Sequence, residues 1–269
     1  MSKWYVDKGE QGDIVLSTRV RLARNLEEYP FPCRLDTAGK IKVNEKVRDT
    51  LLSCVPELGL HYVTMDSLSR EQAISLAERH LISPEFASVR EGRALMLTED
   101  ETVGIMLCEE DHIRVQVMKS GLALMDCYVL ADKIDSALDK KLNFAFDERL
   151  GYLTQCPTNL GTAMRASVML HLPALRRSGQ LSVLSSTISK LGLSLRGAYG
   201  EGRESRGDIY QLSNQITLGI TEQAAIENLQ SITRQLVTQD VRRRSVCAPI
   251  SPCRIKYTGL SEFCRVRAC

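Results

Sequence analysis

Polar and apolar residues alternate through residues 14–23, a period of two that predicts a strand with Ser17, Arg19 and Arg21 on one face and Thr18, Val20 and Leu22 on the other. Residues 36–52 have apolar positions at helical spacing behind a capping residue, Asp36 or Thr37. Residues 67–80 repeat that pattern behind a capping-box-like Ser67/Glu71 pair. Three short apolar runs follow, 93–98, 103–108 and 112–119, separated by the acidic turns Glu99-Asp100-Glu101 and Glu109-Glu110-Asp111; this predicts an antiparallel meander. Residues 122–142 and 158–172 read as helices, the second ended by Pro173. Residues 193–199 and 209–213 read as strands around the glycine-rich loop 197–207, and a helix is predicted over residues 221–234 or beyond. Hairpin strands interleaved with long helices, without an internal repeat, predict an α+β fold with a mostly antiparallel sheet.

Composition bounds this picture. The 269 residues are 43% apolar and 25% charged with a mean hydropathy of −0.14, the profile of a globular chain of one large domain or two modest ones. No run of about 18 apolar residues occurs, and the charged first ten residues lack the apolar centre of a signal peptide, so a cytoplasmic location is expected. The net charge of +2 gives no bulk attraction for nucleic acid or a membrane, and neither is expected as a partner. It conceals an asymmetry: residues 241–269 hold Arg242, Arg243, Arg244, Arg254, Lys256, Arg265 and Arg267 against Glu262 alone, a net +6 that leaves −4 for the first 240. That stretch also holds Cys247, Cys253, Cys264 and Cys269 of the nine cysteines, without the paired two-residue spacing of zinc sites. Most of the cysteines are expected to be free thiols.

Four segments put charged or small polar residues where a sheet domain would place its functional face. They are Ser17-Thr18-Arg19-Val20-Arg21, Glu109-Glu110-Asp111-His112-Ile113-Arg114, the run 156–169 with Cys156, Arg165, Ala166, Ser167, Val168 and Met169, and Arg196-Gly197-Ala198-Tyr199-Gly200-Glu201. Alone, each has a bland reading: a solvated strand face, a polar hairpin turn, a capped helix, a mobile loop. Together they supply five arginines, two glutamates and a cysteine, with no Walker-type loop and no Rossmann glycine fingerprint beside them.

In order and spacing these segments resemble the motifs of the phosphagen (guanidino) kinase family, and more closely its bacterial branch, the protein arginine kinases, over about residues 12–235. The resemblance implies a bent antiparallel sheet flanked by helices, with ATP bound across it. By position, Arg19, Arg21, Arg114, Arg165 and Arg196 match the family's nucleotide-phosphate arginines, set within ATP-binding segments 17–21, 165–169 and 196–201. His80 matches a residue beside the adenosine moiety. Glu110 and Glu201 match the carboxylates that hold the guanidinium, and Cys156 matches the substrate-site cysteine.

The chemistry fits that allocation. A phosphoryl group in transfer spreads negative charge over its oxygens, and planar guanidinium forks clamp it more directionally than lysine. Mg²⁺ is expected to ride on the nucleotide phosphates, with no dedicated metal ligands in the protein. The acceptor guanidinium, pKa about 12.5–13.8, is neutral in roughly one molecule per million at pH 7, a penalty of about 8 kcal/mol. A carboxylate must therefore orient the nitrogen and accept its proton. Glu110 is the candidate base with Glu201 as its partner, and the reverse assignment stays open. Cys156, placed before a predicted helix N-terminus, reads either as a thiolate near the guanidinium or as an inert thiol.

Small-metabolite members of the family carry a helical domain of roughly a hundred residues before the first arginine motif, whereas 16 residues precede Ser17. An open site admits an arginine side chain on a protein, so the first reading is ATP-dependent protein arginine phosphorylation. A small-guanidine kinase and a catalytically inactive adaptor are the alternatives. The resemblance implies protein substrates with exposed arginine, marking for Clp-type proteolysis or inactivation of a stress repressor, a zinc-binding activator protein, a Clp ATPase partner and a family dimer that is doubtful here. The catalytic domain is expected over 1–240. Residues 241–269, lacking helical periodicity, are expected to be an atypical basic tail, disordered or frame-shifted; a one-nucleotide shift of codons from Arg244 onward reads as a helical continuation.

Overall fold

The computed structural model describes residues 3–198 and 207–246, with side chains through Arg244. Strand β1 (Val15–Arg24) is followed by α1 (Thr37–Cys54), β2 (His61–Thr64), α2 (Arg70–Glu78) and α3 (Pro84–Ser88). The meander β3 (Ala94–Leu97), β4 (Val103–Leu107) and β5 (Ile113–Ser120) leads into α4 (Leu124–Asp139). A small hairpin, β6 (Phe146–Asp147) and β7 (Gly151–Tyr152), precedes β8 (Met164–His171), α5 (Pro173–Arg177) and α6 (Leu181–Lys190). Strands β9 (Leu193–Gly197) and β10 (Ile209–Asn214) and the long helix α7 (Glu222–Val246) complete the order.

Eight strands form one sheet in the order β2-β3-β4-β5-β1-β8-β10-β9, with every neighbouring pair antiparallel. The first strand in sequence thus lies in the middle. One face is apolar: Val20, Leu22, Val115, Val117, Ala166, Val168 and Leu212 are buried with Ala131, Ile134 and Leu138 of α4 and Ile226 and Leu229 of α7. On the opposite face, α2 and α3 cover only the β3–β4 end, through Leu76, Phe86, Leu95 and Met106. The strands β5, β1, β8 and β10 are left without a helix on that side, and their polar residues line an open trough. Among the described residues no helix is long and apolar enough to cross a membrane.

The α+β expectation, an antiparallel sheet with flanking helices, matches this architecture. Three local expectations do not. Residues 158–172 do not form a helix: Pro157–Asn159 make a single 3-10 turn and β8 follows, its residues alternating between buried Met164, Ala166, Val168 and Leu170 and half-buried Arg165 and Met169. The period of two wins because Gly161, at φ 100°, and Ala163, at φ 49°, break any helix, and a Cβ on Gly161 would meet Thr217 O at 2.0 Å. Helix α2 is capped by Ser69, not Ser67, in a box with Gln72. Helix α7 passes through residues 241–246, which were expected to lack helical order. Its buried Asp240 accepts from Ala174 N at 3.1 Å and Leu175 N at 3.0 Å, capping α5, while Arg244 pairs with Asp240 at 2.6 Å and donates to His171 O at 3.2 Å.

Arg24 fastens β1 to the helical layer. Only 1% exposed, it donates through Nη2 and Nε to Asp135 Oδ2 at 2.6 and 3.1 Å and through Nη1 to Ala23 O and Thr162 O. Its guanidinium lies 3.5 Å from the Tyr152 ring centroid and 3.6 Å from Glu222 of α7. Burial pushes the Asp135 carboxyl above its usual range despite Arg24, so losing the guanidinium would strand a desolvated acid. Arg24→Ala is expected to cost about 3–5 kcal/mol in urea unfolding, whereas Lys133→Ala, which removes an exposed pair with Glu57, should leave the urea midpoint nearly unchanged.

Candidate active site

Cross-strand partners in an antiparallel pair share a face, so the register alone places the site residues. Arg21 lies opposite Gln116 on β5 and Arg165 on β8, Arg19 opposite Met118 and Ser167, and Ser17 opposite Ser120 and Met169. Gln211 of β10 continues the row from Met169 to Arg196 on β9, and Arg114 stands two residues along β5 from Gln116. All five arginines singled out in the sequence therefore project from one face of the sheet, the one left open.

Four of them crowd together. Burial, then the fields of Arg19, Arg114 and Arg165, depress the Arg21 pKa well below the usual arginine value, with Glu109 pulling weakly the other way. The Nε atoms of Arg21 and Arg165 are buried without a hydrogen-bond partner. Unsatisfied buried donors among like charges are costly, and an anion with several acceptor oxygens relieves both costs. Glu109 steadies the cluster from the side: it pairs with Arg114, accepts from Ser83 Oγ, and is held below the usual carboxylate range by Arg114, Ser83 and Arg93 against the upward push of burial.

Beside the cluster lies a cavity of about 150 Å³ lined by Arg21, Arg114 and Arg165 on one side and Glu110, Asp111, Cys156, Thr158 and Asn159 on the other. Glu110 differs from its neighbour Glu109: burial and the adjacent Asp111 and Glu109 outweigh Arg114 and Arg165 and raise its pKa, which strengthens it as a base. Cys108, immediately before, takes φ 56° to make the turn; its buried thiol is pushed up to about 12 and serves packing. His112 is locked, its Nδ1 accepting from Leu26 N at 3.0 Å and its Nε2 lying 3.0 Å from Pro30 O, which fixes the neutral Nε2–H form. Cys156 Sγ lies 3.1 Å from Thr158 Oγ1. It precedes one 3-10 turn rather than a helix, so the expected helix dipole is absent there.

At the other end of the trough a narrow cleft of about 20 Å³ is lined by Ser17, Arg19, His80, Met118, Ser167, Met169 and Gln211. His80, at φ 60° after α2, has its carbonyl held by Gln116 Nε2 at 2.9 Å; burial and then Arg19 lower its pKa, favouring the neutral ring.

Some expected nucleotide contacts require correction. The side chains of Thr18, Val20, Ala166 and Val168 point to the helical face, as alternation demands; Thr18 Oγ1 donates to Gly121 O at 2.6 Å. Gly197 ends β9 and Ala198 follows it, both half-buried beside exposed Arg196. Tyr199, Gly200 and Glu201 lie outside the described residues. Gln116, Met118 and Gln211 carry no charge to mark them in the sequence and become visible only once strands are paired. The same holds for Asn25, which adjoins the cavity through Asp111.

Residues 42–243 match the model of the ATP:guanido phosphotransferase C-terminal catalytic domain. The chain belongs to the ATP:guanido phosphotransferase family. A protein-arginine kinase of Halothermothrix orenii is 46% identical over 246 residues, covering 91% of this chain and 70% of the relative. One from Staphylococcus haemolyticus is 42% identical over 245 residues, covering 91% and 71%. The duplicated taurocyamine kinase of Schistosoma mansoni superposes with a TM-score of 0.78 at 33% identity over 87% of this chain, which spans 34% of that longer one. A lombricine kinase structure shares the fold, with a TM-score of 0.76 at 24% identity over 89% of this chain and 69% of its own. A guanido phosphotransferase uses ATP as phosphoryl donor, and the charge-crowded arginine face has the chemistry to receive its phosphates.

The two adjacent glutamates should respond oppositely to pH. Glu110 has a raised folded pKa, so its stabilising contribution is present below the carboxylate range and lost as pH rises through the raised value. Glu109, with a lowered one, contributes above the carboxylate range and loses that contribution as pH falls. Urea unfolding at neutral pH is expected to show Glu110→Gln stabilised and Glu109→Gln destabilised, with both differences vanishing in acid.

Proposed function

We propose that this guanido phosphotransferase is a protein-arginine kinase, transferring the γ-phosphoryl group of ATP to the guanidinium of arginine side chains in proteins. The observation that carries the reading is the juxtaposition of an open arginine face with a carboxylate-lined cavity. The names of the relatives, about 45% identical over nine-tenths of the chain, support the choice of acceptor.

In this reading Arg19, Arg21, Arg114, Arg165 and Arg196 hold the triphosphate, and the cleft at His80, Met118 and Met169 takes the adenosine end. When bound on the phosphates, Mg²⁺ would supply further charge neutralisation, and the hard carboxylate oxygens of Glu110 and Asp111, which line the cavity, are the groups that would hold its waters. Glu110 orients the acceptor guanidinium and takes a proton from its attacking nitrogen. As the N–P bond forms, the bond from the γ-phosphorus to the bridging oxygen breaks, and ADP leaves with that electron pair. Cys156, on the same wall of the cavity as Glu110, is proposed as a second contact to the guanidinium, and Glu201 is the proposed partner carboxylate. We also propose that residues 1–240 make up the catalytic domain, its last helix running into the basic stretch. The proposal extends to a cytoplasmic setting, a zinc-binding activator, and delivery of marked proteins to a Clp-type ATPase.

The test compares denatured casein with free arginine as acceptor for labelled ATP, scoring acid-labile phosphate. Label on casein is expected. Label on free arginine alone would favour a small-guanidine kinase, and label on neither would favour an inactive adaptor. Arg165→Lys and Arg196→Lys keep the charge and lose the fork, and each is expected to slow transfer at least about tenfold.

A further inference from the structure

We propose that Asn25 is a positioning residue that sets the acceptor half of the site against the arginine face. The proposal rests on the acceptor reading given above. Asn25 follows the last residue of β1, and its side chain is buried. Its Nδ2 donates to Asp111 Oδ1 at 2.6 Å and to Leu153 O at 3.0 Å, and its Oδ1 accepts from His112 N at 2.9 Å. Its own carbonyl accepts from Ala145 N at 2.8 Å. Asp111 Oδ1 takes a second donor, Gln155 N, at 2.9 Å.

One amide therefore ties together three segments that are separate in sequence: the strand bearing Arg19 and Arg21, the turn bearing Glu110, and the loop bearing Cys156. The turn and the loop form the acceptor wall of the cavity. The held groups adjoin the cavity: Asp111 lines it, His112 follows Asp111, Gln155 precedes Cys156, and Leu153 lies three residues before Cys156. No other residue type of this size does the same work. Serine is too short to span both contacts, and aspartate lacks the two donors and would set a second negative charge against Asp111.

Two of the phosphate arginines do not depend on this bracket. Arg19 and Arg21 are fixed by the ladders of β1 with β5 and β8, upstream of Asn25. A positioning role thus separates from a general structural one: loss of the amide should loosen the acceptor wall and leave the nucleotide side intact. The sulfur of Cys156 offers a readout that needs no turnover, and half-buried Cys54, at the end of α1 and away in sequence from all three segments, serves as an internal reference.

The experiment uses Asn25→Ala and the gentler Asn25→Ser in the full chain, each checked for a cooperative melt. Calorimetric ATP affinity is expected within about threefold of the parent, transfer to denatured casein slowed at least about tenfold, and iodoacetamide labelling of Cys156, read by peptide mass, faster by at least about threefold with Cys54 unchanged. Unchanged Cys156 labelling with unchanged transfer in Asn25→Ser overturns the proposal. So does ATP affinity that falls in step with transfer, or loss of the cooperative melt in both variants, either of which makes the residue a structural one. A parent enzyme that leaves casein unlabelled overturns the acceptor reading instead, while the Cys156 and ATP measurements still decide the role of Asn25.

Discussion

Arg19, Arg21, Arg114 and Arg165 stand on neighbouring strands of one sheet face, close enough that their mutual field, added to burial, drives the Arg21 pKa down. Flexible side chains on loops would move apart. Here the spacing is imposed by strand ladders, and the strands are held by the packed layer of α4 and α7 beneath them. The repulsion is a cost the fold bears before any ligand arrives, partly offset by Glu109 beside Arg114. It also makes the open face selective: a neutral ligand gains nothing from it, and a polyanion gains both charge compensation and partners for the orphaned Nε atoms.

The carboxylates divide their work by environment. Glu109 and Glu110 are consecutive, yet one is paired and acidic while the other is raised toward basicity first by its own burial and then by its acidic neighbours. The turn that separates them in direction needs Cys108 at positive φ, a conformation costly for a non-glycine residue. That strain is tolerated where Cys108 N is bonded to His112 O at 2.9 Å and the following residues are fixed by Asn25 and Leu26.

The arginine face was legible in the sequence because period-two spacing needs no tertiary information: Arg19 and Arg21 had to share a side, and the meander between the acidic turns followed from composition. What was not legible depended on pairing between distant strands. Residues 158–172 looked helical because capping and propensity signals say nothing about β1 and β10 waiting on either side, and those ladders outweighed the local preference. Thr18 and Val168 were drawn into the ATP site by motif membership, although alternation had already pointed them elsewhere. Asn25 gave no signal, since a lone asparagine after a strand is also an ordinary turn residue.

The central place of β1 has a consequence for how the chain reaches this state. It is the earliest in sequence of the described strands, and both strands that will flank it, β5 and β8, come much later. Until then it is a two-edged, half-apolar ribbon with neither ladder filled. Closing the Arg21–Arg165 pairing means joining segments from opposite halves of the sequence, the kind of non-local contact that slows folding. The meander β3–β5, built from hairpins, can order early, and β1 must then insert between it and β8 before the arginine cluster exists at all. A nascent or partly folded chain thus carries no assembled polyanion site, and the like-charge contacts come late, when the rest of the sheet is already in place to bear them.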